Sequence, residues 1–175
     1  MKVSKSIWVK RSVEDAFRLF TDQIGSWWPL DEGFSYAASH GRRASGIAWK
    51  APSAAKSPSQ PRPGVFLEAR IGGRFYERFN DGTEYEVGRV IECEAPHRFV
   101  VTWKSPDWEG PTQVEVRFSP ERGGTRLDLE HRGFEIGPNA ERSRTGFDEG
   151  WVTVLARYAS AAQPGGEDSG ANAGR

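Results

Sequence analysis

The sequence has little of what stabilises or anchors a secreted or membrane protein. Its 175 residues include a single cysteine, Cys93, which rules out an internal disulfide. No apolar run is long enough for a signal peptide or a membrane-spanning helix. Basic and acidic residues number 24 each, so the charge balance favours neither nucleic acid nor an anionic membrane as a partner. These absences predict a cytoplasmic protein, and its length is that of one domain.

Motifs of the common catalytic and metal-binding classes are also missing. The nitrogen and sulfur side chains that could bind a metal are His40, Cys93, His97 and His131. Their spacing matches no standard metal site, so we expect no metal. Neither Gly72-Gly73 nor Gly123-Gly124 extends into a phosphate-binding fingerprint, and there is no Gly-x-Ser-x-Gly elbow. We therefore expect no bound cofactor.

Aromatic residues are abundant for so polar a chain. Seven Trp and ten Phe occur in a sequence whose mean hydropathy is −0.65. Large rings either fill a core or line a pocket, and composition leaves both open. The tandem Trp27-Trp28 before Pro29 has the same two interpretations, a hydrophobic plug under a loop or a lid over a cavity mouth.

Residues 139–162 have the pattern of a long amphipathic helix. Its apolar positions recur at helical spacing and are Phe147, Trp151, Val154, Leu155, Tyr158 and Ala162. Asn139 is the predicted N-cap, and Arg142 is expected outside the apolar stripe. Gly146 and Gly150 share a neighbouring face, which either admits close packing or leaves room. We expect the tail at 163–175 to be disordered, which leaves 1–162 as the domain.

The rest of the chain indicates an antiparallel sheet. A first strand at 6–10 is followed by a helix capped by Ser12 and by one more helical turn, which Pro29 ends. Residues 33–64 predict a long irregular loop, because Pro, Gly, Ser and Ala predominate there. Alternating strands then cover 65–71, 74–80, 84–93, 99–104, 113–118 and 126–131. Short turns between them predict a meander whose apolar face is covered by the last helix.

This order of elements resembles the helix-grip fold of the START/Bet v-like (SRPBCC) superfamily. More narrowly, the chain is similar to homologues of the activator of heat shock protein 90 ATPase. The matching stretches are 13–21, 72–77, 88–90, 95–99, 102–103, 123–127 and 150–158. The resemblance covers residues 5–162 and implies an α+β fold in which a curved sheet of six to seven strands wraps around the final helix. It also implies an apolar cavity, which in that superfamily often binds a hydrophobic small molecule or lipid.

The family name does not by itself give a function. The co-chaperone that this family resembles uses a separate N-terminal domain to stimulate its chaperone. Few residues precede the first predicted strand, so we expect that domain to be absent and direct ATPase activation not to occur. Docking to a chaperone or another protein stays open.

Three functions follow as hypotheses. The first is non-enzymatic binding of a hydrophobic or aromatic small molecule between the sheet and the final helix. Its site residues are Trp28, Trp49, Tyr76, Trp103, Phe147 and Trp151 as apolar walls, with Glu77, Tyr85 and His131 to orient the ligand. The second is an enzyme that uses His131 and Glu77 as an acid–base pair. The favoured alternatives for these two residues are a satisfied histidine at the end of a strand and a carboxylate paired with a nearby arginine. The third is a protein-interaction module that uses the 33–64 loop and an exposed Trp108.

Overall fold

The fold is one antiparallel sheet of seven strands with a long final helix packed against it. The computed structural model describes residues 1–39, 62–106, 108–135 and 139–165. The strands are β1 (Lys2–Val9), β2 (Gly64–Leu67), β3 (Arg74–Arg78), β4 (Glu84–Glu94), β5 (Arg98–Trp103), β6 (Thr112–Glu121) and β7 (Gly124–Arg132). Helices that lie wholly within the described residues are α1 (Val13–Phe20) and α2 (Ala140–Ala162), with 3₁₀ turns at Ile24–Ser26 and Leu30–Glu32.

Strand order in the sheet is β1-β7-β6-β5-β4-β3-β2. Strands β2 to β7 each pair with their neighbour in sequence, which confirms the predicted meander. The first strand pairs with the last, from Lys2 opposite Arg132 to Val9 opposite Thr125. That pairing extends β1 to Lys2, earlier than predicted, because every residue of it has a partner on β7. The predicted α+β helix-grip class is confirmed.

The two helices begin differently. Ser12 caps α1 as predicted, because its Oγ accepts a hydrogen bond from the Asp15 amide at 3.1 Å. Asn139 stands at the N-cap of α2 as predicted, although its side chain makes no capping hydrogen bond. Most of the predicted 33–64 loop, including Trp49, lies outside the described residues.

The second half of α2 belongs to the core. Tyr158 is fully buried and its hydroxyl donates to the Ala16 carbonyl of α1 at 2.8 Å. Trp27 is 3% exposed, donates its indole N–H to the Leu19 carbonyl at 2.7 Å and packs on Tyr158. Trp27 is therefore a structural plug. Because these contacts fix the second half of α2 in the core, its first half is available to line a ligand site.

Among the described residues, no helix has both the length and the apolar character needed to cross a membrane.

Candidate functional site

A cavity of about 560 Å³ lies between the sheet and the first half of α2. Its aromatic lining residues include Trp28, Phe34, Phe75, Trp103, Phe147 and Trp151. The ring centroid of Trp103 lies 5.1 Å from that of Phe75, 5.5 Å from that of Trp151 and 5.7 Å from that of Phe147. These tilted and edge-to-face contacts are the favoured arrangement for aromatic pairs, so the wall is both apolar and well packed.

The helix contributes a stripe of small and polar residues to the same cavity. The stripe follows helical spacing and consists of Asn139, Arg142, Ser143, Gly146 and Gly150. A Cβ added at Gly146 would meet no heavy atom within 4 Å, whereas one at Gly150 would lie 3.2 Å from the Phe34 ring. Gly146 thus leaves room and Gly150 admits close packing. Arg142, which the sequence placed off the buried face, lies on this stripe.

Glu77 is the carboxyl group that borders the cavity. Alternation in β3 turns it to the same side as Phe75, and it is only 5% exposed. Its Oε1 accepts from the Ser35 hydroxyl at 2.5 Å and its Oε2 from the Tyr36 amide at 2.7 Å. The neighbouring Arg78 pairs with Glu84 instead, at 2.8 Å. Because each carboxyl oxygen has two lone pairs, Glu77 retains acceptor capacity toward the cavity.

Tyr36 forms a second polar group on the cavity wall. Its hydroxyl accepts from the Trp103 indole N–H at 2.9 Å and lies 3.1 Å from the Ser105 hydroxyl. Burial raises the pKa of Tyr36, so the phenol stays protonated at neutral pH. Sequence reasoning missed Tyr36 and Ser35, because their segment has no hydrophobic periodicity and their partners are distant in sequence.

His131 lies behind the cavity wall and does not line it. It is fully buried, as the alternation of β7 predicts. Its Nδ1 accepts from the Trp151 indole N–H at 3.1 Å, which places the proton of the neutral ring on Nε2, 2.7 Å from the Thr112 hydroxyl oxygen. That hydroxyl donates in turn to the Trp103 carbonyl at 2.9 Å. Both ring nitrogens are occupied, so Glu77 is not a partner of His131.

Burial also keeps the imidazole uncharged. Desolvation by burial lowers the pKa of His131 to about 3. Among the alternatives open from the sequence, the geometry matches a satisfied structural histidine. A role in proton transfer or in direct ligand contact has no support here.

The other residues expected in the site divide into two groups. Trp28, Trp103, Phe147 and Trp151 line the cavity as expected, whereas Trp49 is outside the described residues. Trp28 donates its indole N–H to the Phe34 carbonyl at 3.0 Å, so it is part of the wall and not a lid. These placements assemble an aromatic pocket from β3, β5, α2 and residues 28–36.

Of the two tyrosines expected in the site, Tyr76 borders the cavity and Tyr85 does not. Tyr76 borders the cavity, but its ring stacks on Phe66 at 5.1 Å with the Arg74 guanidinium 4.1 Å above it. Tyr85 does not line the cavity and donates its hydroxyl to the Lys104 carbonyl. Trp108, expected as an exposed interaction residue, is half-buried, lines the cavity and lies 5.4 Å from the Phe147 ring.

A metal site is not formed in the part of the chain that the structure describes. No group of three or more His, Cys, Asp or Glu side chains there could hold a metal ion. The cavity polar groups are a carboxyl, hydroxyls, an amide and a guanidinium, which suit hydrogen bonding to an organic ligand.

Comparison with known families matches the model described as Activator of Hsp90 ATPase homolog 1-like protein over residues 10–163. The chain belongs to this family. Membership in the Activator of Hsp90 ATPase homolog 1-like family implies, in general terms, interaction with a small molecule or a chaperone. Comparison with curated proteins finds no match.

Several solved structures have the same fold as this family member. The Aha1 dimer from Colwellia psychrerythraea has a TM-score of 0.60 at 13% identity, covering 95% of this chain and 98% of the other. CalU16 from Micromonospora echinospora has a TM-score of 0.56 at 18% identity, covering 93% and 76%. Txn09, an anthrahydroquino-Gama-pyrone synthase complexed with SUM, has a TM-score of 0.52 at 29% identity, covering 91% and 95%.

Proposed function

We propose that the chain binds a flat hydrophobic or aromatic small molecule in the cavity between the sheet and α2, without changing it chemically. The observation that carries this proposal is the aromatic cavity of about 560 Å³. Ligand sites of drug-sized molecules are roughly 300–1,000 Å³ in volume and mostly apolar with a few placed polar groups. A cavity left empty inside so aromatic a wall would forfeit dispersion contacts, which a ligand would supply.

The polar groups of the cavity would orient the ligand. Glu77 and Tyr36 are held by hydrogen bonds to Ser35, Trp103 and Ser105, so their positions do not depend on the ligand. Groups fixed in advance lower the entropic cost of binding. A ligand hydroxyl could donate to Glu77 while its rings lie against the tryptophans.

Similarity to Txn09 supports an aromatic ligand. The name of that protein contains a fused-ring anthrahydroquinone, and the two chains are 29% identical over most of their lengths. A three-ring aromatic is planar and of a size that the cavity volume accommodates. We therefore use anthraquinones as probes.

The test is binding measured in wild type and in a variant with the cavity filled. Titration with anthraquinone-2-carboxamide should quench tryptophan fluorescence, because four tryptophans line the cavity. Gly146→Leu should weaken binding at least tenfold, since its side chain enters open space beside the cavity. It should also raise stability by about 0.8 kcal/mol, because glycine is a poor helix former.

Gly146→Ala is the matched control. It gives nearly the same gain in helix propensity but adds one methyl group, so binding should change much less than in Gly146→Leu. Native mass spectrometry of freshly purified protein, compared with the denatured mass, would reveal a co-purifying ligand. If wild type neither quenches with the probe nor carries a small molecule, the proposal is wrong.

Catalysis in the same cavity is the second candidate. The observation in its favour is Glu77, a buried carboxyl at the cavity with no basic partner among the described residues. Such a group could accept a proton from a bound molecule. Chromatography of the molecule recovered after incubation would separate the two candidates: a changed molecule, with the change stopped by Glu77→Gln while binding persists, would indicate an enzyme.

A further inference from the structure

Arg142 differs from most arginines of the described chain. Its neighbour Arg144 is bonded to Glu141 at 2.5 Å, and the more distant Arg157 pairs with Asp31 at 3.0 Å. No carboxylate of the described residues lies within ion-pair distance of Arg142, although Glu141 adjoins it in sequence and is used by Arg144. Arg142 is thus a cation without an internal partner in the described structure.

The position of Arg142 connects it to the cavity. It lies on the stripe of α2 that includes Gly146 one turn further along, and it lines the same cavity as the aromatic wall. Gly146 has no side chain to separate the guanidinium from the ring of a bound molecule. Arg142 is exposed to solvent while Glu77 is buried, so the basic group stands at the open end of the cavity.

The two charged side chains of the cavity are held differently. Glu77 already accepts two hydrogen bonds from the protein, whereas Arg142 donates none to any other residue that the structure describes. A guanidinium presents a planar fork of N–H donors that suits a carboxylate or phenolate oxygen better than a neutral group. An anionic substituent on a ring between Trp151 and Phe147 would find this donor at the cavity mouth.

We propose that Arg142 makes the site selective for aromatic molecules that carry an acidic group, a carboxylate or an ionised phenol, at the end that faces solvent. This inference rests on the proposed binding function and names the class of ligand. Arg142 is a specificity-determining residue in this scheme, since the aromatic wall supplies most of the apolar contact.

The experiment compares two probes that differ mainly in charge. Anthraquinone-2-carboxylate and anthraquinone-2-carboxamide are titrated into wild type, Arg142→Gln and Arg144→Gln at neutral pH and low salt, with tryptophan quenching as the readout. Wild type should bind the carboxylate about tenfold more tightly than the carboxamide, as expected for one charge-assisted contact. Arg142→Gln should abolish this preference, with a much larger loss of affinity for the carboxylate than for the carboxamide.

Arg144→Gln is the matched control. It also removes one positive charge, two residues from Arg142, but the Arg144 side chain pairs with Glu141. It should keep the preference for the carboxylate. Equal affinity of wild type for both probes, or equal loss in the two variants, would overturn the role of Arg142 while the cavity proposal stands. Failure of both probes to bind wild type would overturn the cavity proposal and this inference with it.

Discussion

Acidification should destabilise the protein through His131. The ring is fully buried and burial lowers its folded-state pKa to about 3, against roughly 6.5 in an unfolded chain. Between these two values the unfolded chain binds a proton that the folded chain does not. The stability contributed by neutral His131 is therefore complete above pH 6.5 and falls as the pH is lowered toward 3.

The size of the effect follows from the same two values. Each pH unit below 6.5 should cost about 1.4 kcal/mol, so the loss between pH 7.5 and pH 5 is about 2 kcal/mol. That loss is large beside the roughly 5–15 kcal/mol by which domains are stable. Urea unfolding at several pH values measures this loss of stability. The contribution of the carboxyl groups, which also titrate, must be subtracted from it.

His131→Gln supplies that subtraction. The amide oxygen can accept from the Trp151 indole and the amide nitrogen can donate to Thr112, but the side chain does not titrate. The difference in unfolding free energy between wild type and variant should therefore shrink by about 2 kcal/mol from pH 7.5 to pH 5.

His97→Gln is the control, because it makes the same substitution at an exposed histidine. A flat difference for His131→Gln, or one that grows in acid, would refute a neutral buried imidazole.

Two further substitutions test contacts around the cavity and the core. Glu77→Leu should lower the free energy of unfolding, measured in urea, by about 1–3 kcal/mol, because it leaves the Ser35 hydroxyl and the Tyr36 amide without their acceptor. Glu77→Gln should lower it less, because a side-chain amide can hydrogen-bond to both groups. Equal losses for the two variants would contradict this account. Tyr158→Phe should lower the free energy of unfolding by about 1 kcal/mol, because the hydrogen bond from the hydroxyl to the Ala16 carbonyl disappears while the ring remains. Calorimetry should then show a fall of about 2–4 °C in Tm. An unchanged Tm would show that this hydrogen bond contributes nothing to stability.

Local periodicity predicted most of the fold. Alternation placed His131 inward among the leucines of β7, and helical spacing placed Trp151 and Tyr158 on the buried face of α2. Local periodicity does not predict the pairing of β1 with β7, because the two strands lie near opposite ends of the sequence. Their pairing depends on which edge of the sheet β1 joins. The family resemblance predicted the helix-grip fold but did not state which strand the first one joins.

The cavity was predicted only in part, for two physical reasons. Ser35 and Tyr36 belong to a segment with no periodicity, and their contacts to Glu77 and Trp103 join distant parts of the chain. Arg142 is exposed as predicted, but it also borders the cavity, which was missed because only apolar residues were counted toward the inward face of α2. The spacing of Arg142 from Gly146 and Gly150 puts it on the cavity side of α2. A ligand site can include a polar residue at such a position, whereas a hydrophobic core excludes it.

The choice of residue decides what a binding experiment on α2 can prove. Trp151 is both a cavity wall and the hydrogen-bond donor to buried His131, so replacing it would disturb the core and the site together. Gly146 and Arg142 lie before the half of the helix that Tyr158 and Ala162 anchor to α1 and Arg11. Among the described residues Arg142 has no hydrogen-bond or ion-pair partner, and a Cβ added at Gly146 would meet no heavy atom within 4 Å. Substitutions at these two positions should therefore change ligand affinity while the fold is retained.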